Sequence, residues 1–494
     1  MNDINLAKYA ENGDGFGVSS QAEVEALLKS LNAGAVTGRD TDGSLTDSGA
    51  PLKLESLEGT LKSITYDEQT IRFWKRVPKM EAYNTVEEYL RFVSPGADRG
   101  GFVGETELPE EEDSVYQRSS ALVKFMGVTK SVSLAMEMVN TVKGVGNIIQ
   151  NETRNGSLWI LRKVDKSLAF ADSDINSYEF DGFYKQQRDA FTSLDLWQDS
   201  VVVIDKKGYR LTEADMELAS LGLHQNYGYG NLLMGPPVVL SNFVKEFHDK
   251  KYITPNTTQV TGATMGQKVN QFASQHGVID LDDDLFLARN PSRLTTDAAT
   301  TTKAPATPVI GGSPATAVAD AAGGRFLTAD AGDYLYAVAA KNRYGESALL
   351  SLTAALVSVG ATQSVDLQFT SGGGAYPGTG YVIYRSKKDV ATSVATTPMY
   401  PIFEVSNAEL AAGYDGGAAG LVRDRNRYIA GTEDAFLVQN DTQVWSFKQL
   451  APLMKLNLAL LSQARRFMVL LYGTPILYAP KKFVRFVNVG TASA

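Results

Sequence analysis

The sequence predicts a mixed α+β fold interrupted, about two-thirds of the way along, by an inserted all-β module. Three observations point there. The segment Asn151–Asp172 (NETRNGSLWILRKVDKSLAFAD) sets Leu158, Leu161, Val164 and Leu168 on one helical face, with Arg162, Lys163, Asp165 and Lys166 on the other. After it, strand and helix signals alternate through Val201–Asp205, Thr212–Leu223 and Met234–Ser241. At Thr295 the composition turns to TTDAATTTKAPATPV, a Thr/Ala/Pro linker, followed by short alternating strands with Gly-rich turns. A chain of 494 residues has room for two or three such units.

Composition narrows the function classes. With 44% apolar and 21% charged residues the chain is globular. Net charge is −9, so there is no cationic excess to neutralise phosphates, and general DNA binding is not expected. The longest apolar stretch, Phe467–Pro480, is broken by Gly473, Pro475 and Pro480 and is too short to span a bilayer. The start MNDINLAKYAENG lacks a basic, then apolar, export signal. The absence of cysteine removes disulfides, thiolate nucleophiles and zinc–thiolate sites, and is compatible with a reducing cytoplasm.

In chain order, Ser20 and Glu23 form a capping box ahead of Val24, Leu27, Leu28 and Leu31. This predicts a short amphipathic helix on an arm, folded back on its own domain or docked on another subunit. Gly96, Gly100, Gly101 and Gly104 allow a bend, after which Glu105, Glu107, Glu110, Glu111, Glu112 and Asp113 crowd together. Such a run stays solvated or meets Lys and Arg on a partner. Val128–Met138 alternates as a half-buried strand. The long excursion of which it is part has little core of its own and needs something to lie on. After the helix, Val201–Asp205 and Met234–Ser241 read as strands and Thr212–Leu223 as a helix. Within the module, Tyr334–Ala340, Ser364–Phe369, Tyr381–Arg385 and Ile402–Val405 read as strands. Leu450–Leu461 reads as helical, and Arg466–Val489 as paired strands turning at Gly473–Pro475.

No catalytic constellation emerges. His224, His248 and His276 are separated in sequence and read as surface or packing residues. Gly262–Lys268 (GATMGQK) has three residues between its glycines where a phosphate loop needs four, and Val269 in place of the hydroxyl that binds magnesium. Asp280, Asp282, Asp283 and Asp284 read as a solvated acidic turn rather than a calcium loop, and Asp40–Gly43 is half of one. No cofactor or metal is expected, and an enzyme is the least supported class.

The segment Thr85–Ser133 (TVEEYLRFVSPGADRGGFVGETELPEEEDSVYQRSSALVKFMGVTKSVS) resembles the extended loop of tailed-bacteriophage major capsid proteins of the Hong Kong 97-like fold. The Asn151–Asp172 helix is similar in place to that family's spine helix, and RFMVLLYGTPILYAPKKFVRFVNV to its terminal strands. The resemblance implies a division of the chain: an N-terminal arm (1–51), a peripheral domain (52–84 and 128–193) with spine helix 151–172, and an extended loop (85–127). An axial domain (194–294), a linker (295–303), an insertion (304–424) and a C-terminal return to the axial and peripheral domains (425–494) complete it. Tyr334-x-Tyr336-x-Val338-x-Ala340-x-Asn342-x-x-Gly345-Glu346-Ser347 is similar to the last two strands of fibronectin type III domains. Strand signals follow it here, so an immunoglobulin-like sandwich is the reading adopted.

The function this implies is an icosahedral shell of pentamers and hexamers, assembled in the bacterial cytoplasm. It would enclose double-stranded DNA without sequence-specific contacts and allow decoration, scaffolding and portal proteins as further partners. The Glu105–Asp113 carboxylates would meet basic residues of a neighbour, and the sandwich would face outward. Two alternatives are an encapsulin-type compartment and a surface- or glycan-binding protein whose contact is the exposed turn Lys341, Arg343 and Tyr344.

Overall fold

The structure, a computed structural model, describes residues 66–96, 102–106, 108, 111–138, 147–191, 201–246, 269–353, 356–390, 395–460 and 463–492. The expected N-terminal arm and its helix, the Gly262–Lys268 loop and His248 lie outside them.

Two sheets and one long helix organise the first layer. After a helical turn, α1 (Phe73–Arg76), come β1 (Lys79–Glu81), the hairpin β2 (Val86–Ser94) and β3 (Val115–Leu122), then β4 (Lys124–Ser133) and α2 (Leu134–Met138). The strand expected over Val128–Met138 therefore stops at Ser133. Ser133 Oγ accepts from Met136 N there and opens the turn of α2.

The long helix α3 (Ile148–Phe170) starts earlier than Asn151 because Asn147 caps it, accepting from Ile149 N and Gln150 N. Its 23 residues span about 35 Å. Its buried face is also shifted. Gly156, Ile160, Val164 and Leu168 are buried, whereas Leu158 and Leu161 are only half-buried. The cause is Gly156: with no side chain, it lets the helix close on β4 and on β21 (Ala464–Leu477), where a Cβ would lie 3.2 Å from Val469 and 3.5 Å from Val128. The face that can approach most closely becomes the core face.

A six-stranded mixed sheet follows, ordered β5-β22-β19-β6-β8-β7. Its strands are β5 (Val203–Asp205), β6 (Leu232–Gly235), β7 (Gln271–Ser274), β8 (Gly277–Asp283), β19 (Glu433–Val438) and β22 (Phe483–Val489). It is a wall between two cores. Phe436, Val438 and Phe483 pack on one side with Val164, Leu168 and Trp445 of the α3 side. Ala435, Leu437, Val484 and Phe486 pack on the other with α5 (Glu213–Gln225) and α6 (Pro237–Glu246). Alternate residues thus serve opposite faces, and both faces are dry. α4 (Phe183–Asp189) lies beside the long helix. Met234–Ser241 is not one strand: β6 ends at Gly235, and Pro237, whose fixed φ suits a first helical turn, opens α6.

The second sheet is ordered β1-β20-β21-β4, with β20 at Trp445–Asn457. Leu450–Leu461 is strand to Asn457, not helix, and Pro452 sits in the irregular stretch between Ala451 and Met454 that its missing N–H requires. Nor does the chain turn at Gly473–Pro475. β21 runs straight through; β4 pairs it only as far as Gly473, so Pro475 faces no partner on that side. The strand after Pro480 joins the other sheet.

Between β8 and β19 lies an all-β region. β12-β11-β16-β17 (Gly345–Glu346, Tyr336–Asn342, Gly380–Arg385, Tyr400–Ser406), with β13 (Leu350–Ser351) beside β11, face β18-β15-β9 (Leu421–Asp424, Gln363–Thr370, Val309–Ala319). The two share a core of Tyr336, Val338, Tyr381 and Ile383 against Val365, Leu367, Phe369 and Val422. β10 (Gly332–Tyr334), β14 (Val357–Val359) and the short helix α7 (Asn407–Ala412) complete it. The 295–303 segment is hydrogen-bonded to this region: Thr300 N donates to Glu346 O, and Asn342 Nδ2 to Lys303 O, each at 3.0 Å.

Candidate functional site

The hairpin β2–β3 forms a two-stranded sheet of its own. Its nine-residue first strand reaches about 30 Å. Directly paired residues of an antiparallel ladder share a face. The register Val86↔Leu122, Glu88↔Ser120, Leu90↔Arg118 and Phe92↔Tyr116 therefore defines one side. On it Leu90 is 73% exposed, Phe92 59%, Tyr116 66% and Leu122 57%. Toward the tip, Phe102 and Leu108 are almost wholly exposed. So many exposed large apolar side chains on one face mark a contact site. Arg118 and Glu88 pair across this face and fix its register.

The opposite side anchors the hairpin at its root. Glu87 is buried and accepts from Tyr83 N (2.6 Å) and Asn84 N (3.2 Å). Arg91 donates to the carbonyl of Leu477 at 3.0 Å and to Tyr89 Oη at 2.9 Å, and the Tyr89 ring meets Tyr478 edge-on. The arm is thus held on one face from its root as far as Arg91 and bare on the other.

Glu105, Glu111, Glu112 and Asp113 are exposed at the far end of this arm; Glu107 and Glu110 lie outside the described residues. Of the turn expected to be exposed, Arg343 and Tyr344 are exposed and Lys341 is not. Lys341 is half-buried and gives both short bonds of 2.6 Å to Glu404. Burial opposes its charge, but Glu404 outweighs burial and holds the ammonium above its usual range. Arg343 stacks over Tyr344 and over Tyr178, which follows the long helix. The turn leans on the α+β body because its arginine finds an aromatic face there.

The acidic run Asp280–Asp284 is not a solvated turn either. Asp282 and Asp283 pair with Arg72, and Asp282 also with Arg76. The buried Asp284 accepts the backbone N–H groups of Arg72 and Phe73, each at 2.8 Å. His224 and His276, far apart in sequence, stack with ring centroids 4.7 Å apart. Among the described residues no group of three or more His, Asp or Glu is placed to hold a metal ion.

Two features escaped sequence reasoning. Asp165, on the face read as solvent-facing, is fully buried, accepts from Trp74 N and faces Asp284; burial first, then the Asp284 charge, pushes its carboxyl up to about 9. Its second oxygen finds no donor, as suits a protonated carboxyl that is itself one. Asp434, also fully buried, sits between Arg289 (2.8 Å) and Arg485 (2.6 Å). No local motif signals either, since their partners lie more than fifty residues away.

No protein-family model matches the chain. Among curated proteins it is 25% identical over 493 residues to the major capsid protein of Staphylococcus phage K, across 94% of this chain and 95% of that one. The same values hold for the major capsid protein of Staphylococcus phage S25-3. Among solved structures, one of Mycobacterium phage Adephagia aligns over 93% of this chain and all of its own at 8% identity and a TM-score of 0.42. The capsid of an empty GTA particle aligns over 91% of this chain and 99% of its own, at 6% identity and a TM-score of 0.44.

Proposed function

We propose that this chain is the major capsid protein of a tailed bacteriophage, a structural protein that assembles with its own copies into an icosahedral head. The observation that carries this is the β2–β3 arm, whose apolar face is left bare while its root is bolted down. A second copy is the natural cover, because a hairpin this long is marginal alone in water and a symmetric shell offers every arm the same neighbour. The full-length likeness to two staphylococcal phage capsid proteins supports the same reading and favours a phage head over a cellular compartment.

The finer parts of the reading follow from it. The fold is of the Hong Kong 97-like kind, with the long helix as spine, the six-stranded sheet in the axial part and copies arranged as pentamers and hexamers around DNA. The Glu105–Asp113 carboxylates meet Lys and Arg of the neighbour. The region between Val309 and Asp424 is an immunoglobulin-like sandwich on the outer face. A glycan-binding role is less favoured, since Lys341 of its expected contact is spent on Glu404.

Negative-stain microscopy of the expressed chain tests this. Closed shells are expected from the wild-type chain. The double variant Leu90→Glu/Phe92→Glu should keep its circular dichroism spectrum yet stay as free subunits. Shells from that variant in wild-type yield, or a wild-type chain that stays monomeric where lysates hold intact heads, would remove the arm from assembly.

A further inference from the structure

A cleft of about 360 Å3 opens beside the root of the arm, between β4, the long helix, the loop that follows it and the turn joining β11 to β12. Phe125 of β4, Trp159 of the helix and Tyr178 of the loop line it together with the buried Ile160, and all three aromatic side chains are exposed. Large aromatic groups gathered in one concave place, rather than scattered singly, mark a contact.

The same cleft is cationic. Lys124, Lys163 and Arg343 line it against one carboxylate, Glu179, which stands 3.9 Å from Lys163. Lys124 donates to the carbonyl of Ser177 at 2.6 Å, and Arg343 lies over the rings of Tyr178 and Tyr344. Neither of these two is ion-paired among the described residues. Two positive charges are thus left over beside an aromatic floor.

Complementary side chains stand at the far end of the arm. Phe102 and Leu108 are almost wholly exposed there, with the exposed carboxylates Glu105, Glu111 and Asp113 among and after them. Apolar knobs interleaved with acids match an aromatic cleft with a cationic rim. Within one chain the two do not meet: β3 puts about 25 Å between Val115, near the tip, and Leu122, two residues short of where the cleft begins. A tip from the next copy has no such separation to cross, and tip-to-cleft contact repeated from copy to copy is head-to-tail and closes into a ring.

We infer that the cleft receives the arm tip of a second copy, with Phe102 seated on Trp159 and Phe125 and Glu105 paired with Arg343. The inference rests on the assembly reading above and adds to it that the all-β region, through Arg343, helps to hold neighbours together.

The chain has no cysteine, so introduced thiols report this contact alone. Shells of the full-length double variant Glu105→Cys/Arg343→Cys, treated with a short bismaleimide, should run on a denaturing gel as a ladder of linked copies that neither single variant gives. In shells of Arg343→Cys the thiol should be shielded from a bulky maleimide, and in free subunits open to it. Arg343→Glu should raise the subunit concentration at which shells appear about tenfold or more, and Glu105→Arg in the same chain should bring it back. If Arg343→Glu fails to fold, the ladder decides. Shells without the ladder, the same ladder from a single variant, a thiol at position 343 that stays open in shells, or an unchanged threshold in Arg343→Glu would each overturn the inference. Failure of the arm reading is separate: it is read from Leu90→Glu/Phe92→Glu, and a block there with no ladder here removes the cleft and leaves the arm.

Discussion

Asp165 shows how one residue couples the subunit to pH. Its carboxyl titrates near 3.8 in an unfolded chain and at about 9 in the folded one. Between these values the folded chain keeps a proton that the unfolded chain has released. The stability owed to this group is therefore complete below about pH 4 and is lost progressively as pH rises toward 9. The residue fastens α1, through Trp74 N, to the long helix, so the loss is felt where the chain enters the arm. Asp165→Asn keeps a donor toward Asp284 and has nothing to titrate. Its melting temperature is expected to fall less than that of the wild type between pH 5 and pH 9; parallel profiles would show that the pair does not hold the proton. The place of Asp165 was not legible beforehand. Asp165 stands among charged neighbours on what looks like the wet face, and its burial comes from α1 and the Leu285–Leu287 turn packing on the helix.

At the scale of elements, the long helix was plain in the sequence and its exact face was not. Periodicity picks out large apolar residues, whereas close packing is decided by where backbones can approach, and Gly156 carries no hydrophobic signal. Ile160, 1% exposed, lies on the approaching face. Ile160→Ala is expected to cost about 2–5 kcal/mol and Leu158→Ala clearly less, as measured by urea unfolding. A reversed order would restore the stripe through Leu158. The same limit explains the C-terminal strands. Leu450–Leu461 has helical spacing by accident of a leucine-rich strand, and Pro452 was the available warning. Gly473–Pro475 looks like a turn, yet Gly473 is there because the Phe447 ring covers it: a Cβ would also come within 2.6 Å of Lys448 O. The arm was legible for the opposite reason. Its lack of internal core is a property of its own residues and needs no knowledge of distant partners.

For the whole molecule, the change of composition at Thr295 was plain in the sequence, but the closeness of the all-β region to its host was not. Gly380 lies against Ile175, where a Cβ would sit 3.0 Å from Cγ2, and Ile175 is 3% exposed. Asn488 of β22 accepts from Ile429 N and donates to Arg427 O, each at 2.8 Å, where the chain leaves that region. A removable ornament would not be seated this way. Replacing residues 304–424 by a short Gly/Ser linker is expected to lower the melting temperature, since uncovering Ile175 alone costs about 1.5–3 kcal/mol. An unchanged melting temperature would show that the region is only a passenger. The path of the chain between the two sheets has a mechanical consequence. It leaves the six-stranded wall after β19, runs out and back as β20 and β21, and re-enters as β22, while the arm is fastened to the far end of β21 through Leu477 and Tyr478. Tension on the arm is thus fed lengthwise into a strand zipped to β4 at ten positions. Strands pulled along their length must rupture many bonds at once, whereas peeling breaks them singly. Under load along the arm, contacts between copies are expected to part before a subunit unravels.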